Sequence, residues 1–180
     1  IAEEITGKYE YPEFERPVIR KCSKSELLRE VYRMVAVGNQ EFEKEELFYL
    51  LMEQLLSEYA VFEQKKVQVP DTERLNAVCS YMKGHYSENV SLEQLCKIAG
   101  VSRYSLIRYF TKYKKITPYQ YLESIRVNRA KLYLEEGTEP AEAAALTGFS
   151  DQSHFTNFFK RLFGLTPAQY QRIFTEKKGY

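Results

Sequence analysis

One supersecondary unit occurs twice in this 180-residue chain. The first copy reads LEQLCKIAGVSRYSLIRYFTKYKKITPYQY over 92–121, and the second reads AEAAALTGFSDQSHFTNFFKRLFGLTPAQY over 141–170. Phe110, Thr117, Pro118, Gln120 and Tyr121 recur 49 places later as Phe159, Thr166, Pro167, Gln169 and Tyr170. Gly100 and Gly148 differ by 48, so the second copy has gained one residue after its turn. The same small unit must therefore form, and bury its apolar side, twice.

Punctuation sets the elements of this half. A helix is expected over 72–86, capped by Asp71, with Leu75, Val78, Cys79 and Met82 inward. Ser91 caps a short helix over 92–99, Gly100 turns the chain, and Ser102 caps a helix over 103–114. Pro118 opens a longer helix over 118–135 that Gly137 ends. Pro140 opens a short helix to Thr147. Gly148 turns, Ser150 or Asp151 caps a helix ending at Phe163, and Pro167 starts a last one.

A short helix, a glycine turn and a capped second helix are the grammar of a helix-turn-helix. These units are expected over 91–114 and 140–163. In such a unit the first turns of the second helix reach base edges in the major groove. Periodicity turns Leu106, either Tyr109 or Phe110, and Tyr113 inward in the first copy. Arg103, Tyr104, Ile107, Arg108 and Thr111 then face outward. In the second copy Phe155, Phe158, Phe159 and Leu162 face in, while Gln152, Ser153, Thr156, Asn157 and Lys160 face out.

Outward Arg pairs with guanine, Asn or Gln with adenine, and apolar groups pack on thymine methyls. The expected base-contacting residues are Arg103, Tyr104, Ile107, Arg108, Gln152, Ser153, Thr156 and Asn157. The expected phosphate-contacting residues are Ser102, Lys112, Lys114, Lys115, Ser150, His154, Lys160 and Arg161. Charge supports a polyanionic partner. Residues 1–70 hold 10 Lys+Arg against 14 Asp+Glu, a net of −4, and residues 71–180 hold 16 against 11, a net of +5. Between Glu93 and Glu123 there is no acid, while Lys97, Arg103, Arg108, Lys112, Lys114 and Lys115 are basic. A one-sided basic stretch suits double-stranded DNA.

The second copy, AAALTGFSDQSHFTNFFKRLFGLTPAQYQR over 143–172, resembles the signature of the AraC/XylS family of bacterial transcription regulators. That signature runs from an Ala-rich helix through G-F-S-D-x-S-x-F and F-K-x-x-F-G to T-P-x-x-Y, and the resemblance covers 71–174. It implies a mainly all-α fold with two helix-turn-helix subdomains joined by a linker helix. It also implies two recognition helices entering successive major grooves. The base-contacting places implied are Tyr104, Ile107 and Arg108 in the first helix, and Gln152, Ser153, Thr156 and Asn157 in the second. One position departs: Asn157 stands where the family often has Arg, which favours adenine over guanine there.

Residues 1–66 are expected to be the end of a regulatory and dimerisation domain, with 67–180 as the DNA-binding domain. Short β-like fragments over 1–20 (KYEY, RPVIR) precede a helix over 25–37, with Leu28, Val31, Tyr32 and Val35 on one face. A second helix over 43–62 carries Leu47, Phe48, Leu50, Leu51, Met52, Leu55, Leu56 and Tyr59. This band is wider than one surface stripe, so the helix is either a buried core helix or one that also meets another subunit. Residues 63–70 read as a linker. The resemblance implies a homodimer through 25–62, RNA polymerase as partner if the protein activates, and a small-molecule effector on a domain missing from this chain. An effector barrel does not fit before residue 20 and the first residue is not Met. A truncated product is therefore expected, the alternative being a protein that senses nothing small.

Other function classes fare worse. No Ser-His-Asp, HExxH or P-loop pattern joins His85 and His154, so no catalytic residue is expected. Cys22, Cys79 and Cys96 are widely spaced, so neither a metal site nor a cofactor is expected. Reduced thiols, no apolar run near a membrane span and no signal peptide point to the cytoplasm. A helical repeat serving only protein partners would lack the outward Arg and amide groups seen here.

Overall fold

The computed structural model describes residues 2–6, 13–14, 26, 29, 32–33, 41–61 and 72–175. The expected helix over 25–37 and the linker over 63–70 lie wholly or mostly outside them, as does the boundary at 66/67. The fold is mainly α, as the repeat requires. In chain order the elements are α1 (Ala2–Thr6), β1 (Glu13–Phe14), α2 (Glu41–Tyr59), β2 (Ala60–Val61), α3 (Thr72–Gly84), α4 (Leu92–Ala99) and α5 (Arg103–Tyr109). A π turn (Phe110–Lys114) extends α5. Then come α6 (Pro118–Glu136), α7 (Pro140–Leu146), α8 (Gln152–Phe163) and α9 (Pro167–Thr175). Strands β1 and β2 pair antiparallel, Glu13 opposite Val61.

The chain divides into two compact units: 1–78 with 91–119, and 79–90 with 120–180. In the first unit the helix-turn-helix α4–α5 forms where its caps dictate. Ser91 and Gln94 make a reciprocal capping box: the Ser91 hydroxyl accepts from Gln94 N–H at 3.2 Å, and the Gln94 side chain accepts from Ser91 N–H at 2.8 Å. Gly100 ends α4 with left-handed backbone, and Ser102 caps α5 by accepting from Ser105 N–H at 3.2 Å. Leu92, Leu95, Ala99, Leu106 and Phe110 fill the core between the two helices. Helix α2 packs on both α4 and α5. It buries Phe42, Tyr49, Leu51 and Leu56, and the Phe42 ring meets Tyr119 edge-on at 5.5 Å.

The second unit has an aromatic core. Phe149, Phe155, Phe158 and Phe159 pack with Val127, Ala130, Leu134, Ala143 and Ala144, and Tyr133, Phe163 and Tyr170 close its edge. Asp151, rather than Ser150, caps α8: its carboxylate accepts from His154 N–H at 2.8 Å. The extra residue of this copy thus sits between turn and cap. Gly148 has φ 83°, and a Cβ there would come within 2.8 Å of the Tyr86 carbonyl. That carbonyl is held by Arg126, which is buried and donates to Tyr86 O at 2.7 Å and to Glu88 O at 2.9 Å. The recurring Thr-Pro-x-Gln is explained at the start of α9. Thr166 accepts from Gln169 N–H at 3.3 Å, and Gln169 accepts from Thr166 N–H at 2.9 Å, with Pro167 in the first turn, where its missing N–H costs nothing.

Two inward expectations are corrected. Tyr113 is 52% exposed, because the wider i→i+5 turn after Tyr109 carries it past the core face. Leu162 is also 52% exposed, and Phe163 packs in its place, its ring tilted against Phe159 at 4.5 Å between centroids.

Candidate nucleic-acid interface

The two helices expected to read DNA, α5 and α8, stand in different states. On α8 the outward row is open: Gln152, Ser153, Asn157, Lys160 and Arg161 are exposed, and Thr156 is half-buried. Three phenylalanines lock the opposite side into the core, so the rotation of α8 is fixed by packing. The Arg161 guanidinium lies 4.7 Å over the Phe158 ring, which holds the charge close to the helix. Ser150 is exposed beside the cap, next to the row.

His154 is engaged elsewhere. Its Nε2 lies 2.9 Å from the buried carboxylate of Glu123, and its ring meets Phe149 edge-on. This expected phosphate contact is half-buried and turned toward the linker helix α6. The sequence allows His154 a phosphate contact or a partly buried packing role, and does not show that a buried acid stands opposite it on α6.

The outward row of α5 differs from expectation more sharply. Tyr104 is 3% and Ile107 1% exposed. Helix α2 lies on this face. Glu53 of α2 forms an ion pair with Arg108 and accepts from the Tyr104 hydroxyl at 3.4 Å, while Arg108 also donates to that hydroxyl at 3.0 Å. Glu45 of α2 pairs with Arg103 at 2.5 Å, and Glu93 adds a second carboxylate at 3.6 Å. Burial pushes the Tyr104 phenol up, and the Glu53 charge adds to it. Partial burial works against the charge on Arg103 and Arg108, yet Glu45, together with Tyr49, for the first, and the Tyr104 hydroxyl, with Glu53, for the second, raise both guanidiniums above their ordinary value. Ser102 is spent on its cap. Lys112, Lys114 and Lys115 remain exposed at the end of the π turn.

Residues that periodicity missed carry much of this geometry. Glu46 of α2 is buried and accepts from Tyr119 N–H, in the first turn of α6, at 2.6 Å. A carboxylate there complements the positive helix end. Its signal was readable: Glu46 falls four places after Phe42 and three before Tyr49, inside an apolar stripe where a charge needs a partner. Arg126, beside Val127 in a helix of ordinary pattern, left no such mark.

Comparison with known proteins agrees with the architecture. A helix-turn-helix domain model matches residues 95–173. The uncharacterized HTH-type transcriptional regulator YbfI of Bacillus subtilis (strain 168) is 44% identical over 152 residues, covering 84% of this chain and 55% of its own length. An AraC-type regulator structure from Chromobacterium violaceum is 28% identical, with TM-score 0.51, and covers 55% of this chain and 89% of its own. Residues 95–173 form an AraC-type helix-turn-helix domain. A further likeness is the DNA-binding domain of AdpA, a global transcriptional factor solved in complex with a target DNA. It is 27% identical with TM-score 0.53, and covers 58% of this chain and 95% of its own. The chain spans about half the length of the curated relative YbfI. Among the described residues no helix is long and apolar enough to cross a membrane, and no cluster of His, Cys, Asp or Glu could hold a metal.

Proposed function

We propose that this chain is a sequence-specific double-stranded-DNA-binding transcription regulator with α5 and α8 as its two reading helices. The observation that carries this reading is the open row on α8. Two amides, two hydroxyls and two cations project from a helix whose other side is fixed in an aromatic core. Amides and hydroxyls at the first turns are base-reading chemistry, and cations behind them neutralise phosphates. In this reading Gln152, Ser153, Thr156 and Asn157 contact bases, while Lys160, Arg161 and Ser150 contact the backbone. On the first unit Arg103, Tyr104, Ile107 and Arg108 would read bases once uncovered, and Lys112, Lys114 and Lys115 would hold phosphates. The two helices would enter successive major grooves, as the family resemblance implies.

The same resemblance supports an activator of a metabolic operon, with RNA polymerase as partner and a small-molecule effector held outside this chain. A homodimer through 25–62 is favoured by the exposed Phe48 on α2, an apolar position available to a second copy. The test is a salt titration of the full chain on a labelled fragment of the promoter beside its own gene, with a scrambled duplex as control. Tight binding to the promoter fragment alone, falling steeply with salt, is the expected result. Equal binding to both duplexes would remove the claim of sequence specificity.

A further inference from the structure

We propose that α2 is an intramolecular stand-in for DNA that holds the first reading helix shut. The proposal rests on the DNA-binding reading above and adds a built-in autoinhibitory contact to it. Three anchors carry it. Glu45 takes Arg103, and Glu53 takes Arg108 with the Tyr104 hydroxyl. Between them Glu46 takes the N–H of Tyr119 at the start of α6. Each partner of α2 is a group that seeks an anion: two guanidiniums and one helix N-terminus. A carboxylate presents two acceptor oxygens as a phosphate does, so one acidic helix satisfies the groups that a duplex would satisfy.

The charge pattern is complementary along its length. Helix α2 carries Glu41, Glu43, Glu45, Glu46, Glu53 and Glu58 against Lys44 alone. The stretch it covers has no acid between Glu93 and Glu123. The contacts run in the same sense along both helices, Glu45 to Arg103 and then Glu53 to Arg108. Between the ion pairs Tyr104 and Ile107 are withdrawn from water. With α2 in place no base edge can reach them, so DNA and α2 compete for one face. Arg103 and Arg108 remain about a third exposed, at 34% and 27%, so each pair is partly screened and separately weak. A cover so held is displaceable.

The test uses the full chain and a duplex selected in vitro with that same chain at low salt. Binding is read by fluorescence anisotropy for the wild type, for E53Q, for E45Q/E53Q, and for E45Q/E53Q with R108A added. Both Gln replacements keep shape and helix propensity while removing the charge. Hydrogen exchange at amides 103–109 without DNA reports opening directly. The expected result is faster exchange in E45Q/E53Q and binding roughly tenfold tighter than wild type, a smaller gain for E53Q, and loss of the gain when R108A is added. A double variant that opens yet binds the duplex no tighter than wild type overturns the cover and leaves the DNA-binding reading standing. So does a double variant whose exchange at 103–109 is unchanged. Failure of the wild type and of the opened variant alike to select or bind any duplex overturns both.

Discussion

Lys115 and Gly164 stand 49 places apart, one in each copy of the repeat, and both carry left-handed backbone, at φ 62° and 76°. The second copy places there the residue that tolerates this conformation, and the first places a lysine. Each ends the second helix of its helix-turn-helix unit. Lys115→Gly is expected to stabilise the first unit by about 0.5–1 kcal/mol by relieving the Cβ–carbonyl crowding. Gly164→Ala should cost about 1 kcal/mol through backbone torsion alone, since a Cβ there meets nothing within 4 Å. Urea midpoints of the two variants check both signs, and a Lys115→Gly chain less stable than wild type would defeat the account.

Arg126→Met is expected to be strongly destabilising, by about 2–4 kcal/mol. It removes two charge-assisted bonds and leaves the carbonyls of Tyr86 and Glu88 without their donor. The loop they belong to is the one against which Gly148 packs. Chemical denaturation should show this as a lower midpoint with unchanged slope.

His154→Ala separates packing from phosphate contact. With Nε2 turned to Glu123, the loss should appear as about 1–3 kcal/mol of stability, because a buried carboxylate loses its partner. The salt slope of DNA binding should stay unchanged. A slope reduced by about 1 with stability intact would restore the phosphate role.

Asn157→Ala tests the open row. In cognate duplex it should cost about 1–3 kcal/mol and relax choice at one base pair, favouring loss of adenine preference. Equal weakening on scrambled DNA would assign Asn157 to the backbone.

Cys96 provides a pH-dependent reporter. Burial pushes its thiol up from 9.0 to about 12, with Arg103 opposing and Glu45 adding. A thiol whose folded value lies above its unfolded value contributes its stability fully below pH 9.0 and loses it as pH rises toward about 12. In a Cys22→Ser/Cys79→Ser background, Cys96 should react slowly with a disulfide reagent at pH 8 when folded and rapidly in denaturant. Equal rates in both conditions would contradict the burial.

Local signals determined the two helix-turn-helix units. Ser91, Ser102 and Pro118 each act on backbone groups within four residues, so their effect can be read without knowing what lies across the core. The aromatic spacing of Phe155, Phe158 and Phe159 fixes which side of α8 is left for a ligand. Tertiary structure decided what covers α5. Periodicity names the side of a helix that its own unit leaves open, but not the element that returns to close it. Glu45 and Glu53 reach Arg103 and Arg108 across 58 and 55 positions, because an acidic face of α2 meets a stretch with no acid of its own. The same limit hid the pairing of His154 with Glu123 and of Arg126 with the 86–88 loop. Each is a buried charge whose partner is set by packing, and sequence spacing carries no trace of which distant group the fold will bring to it.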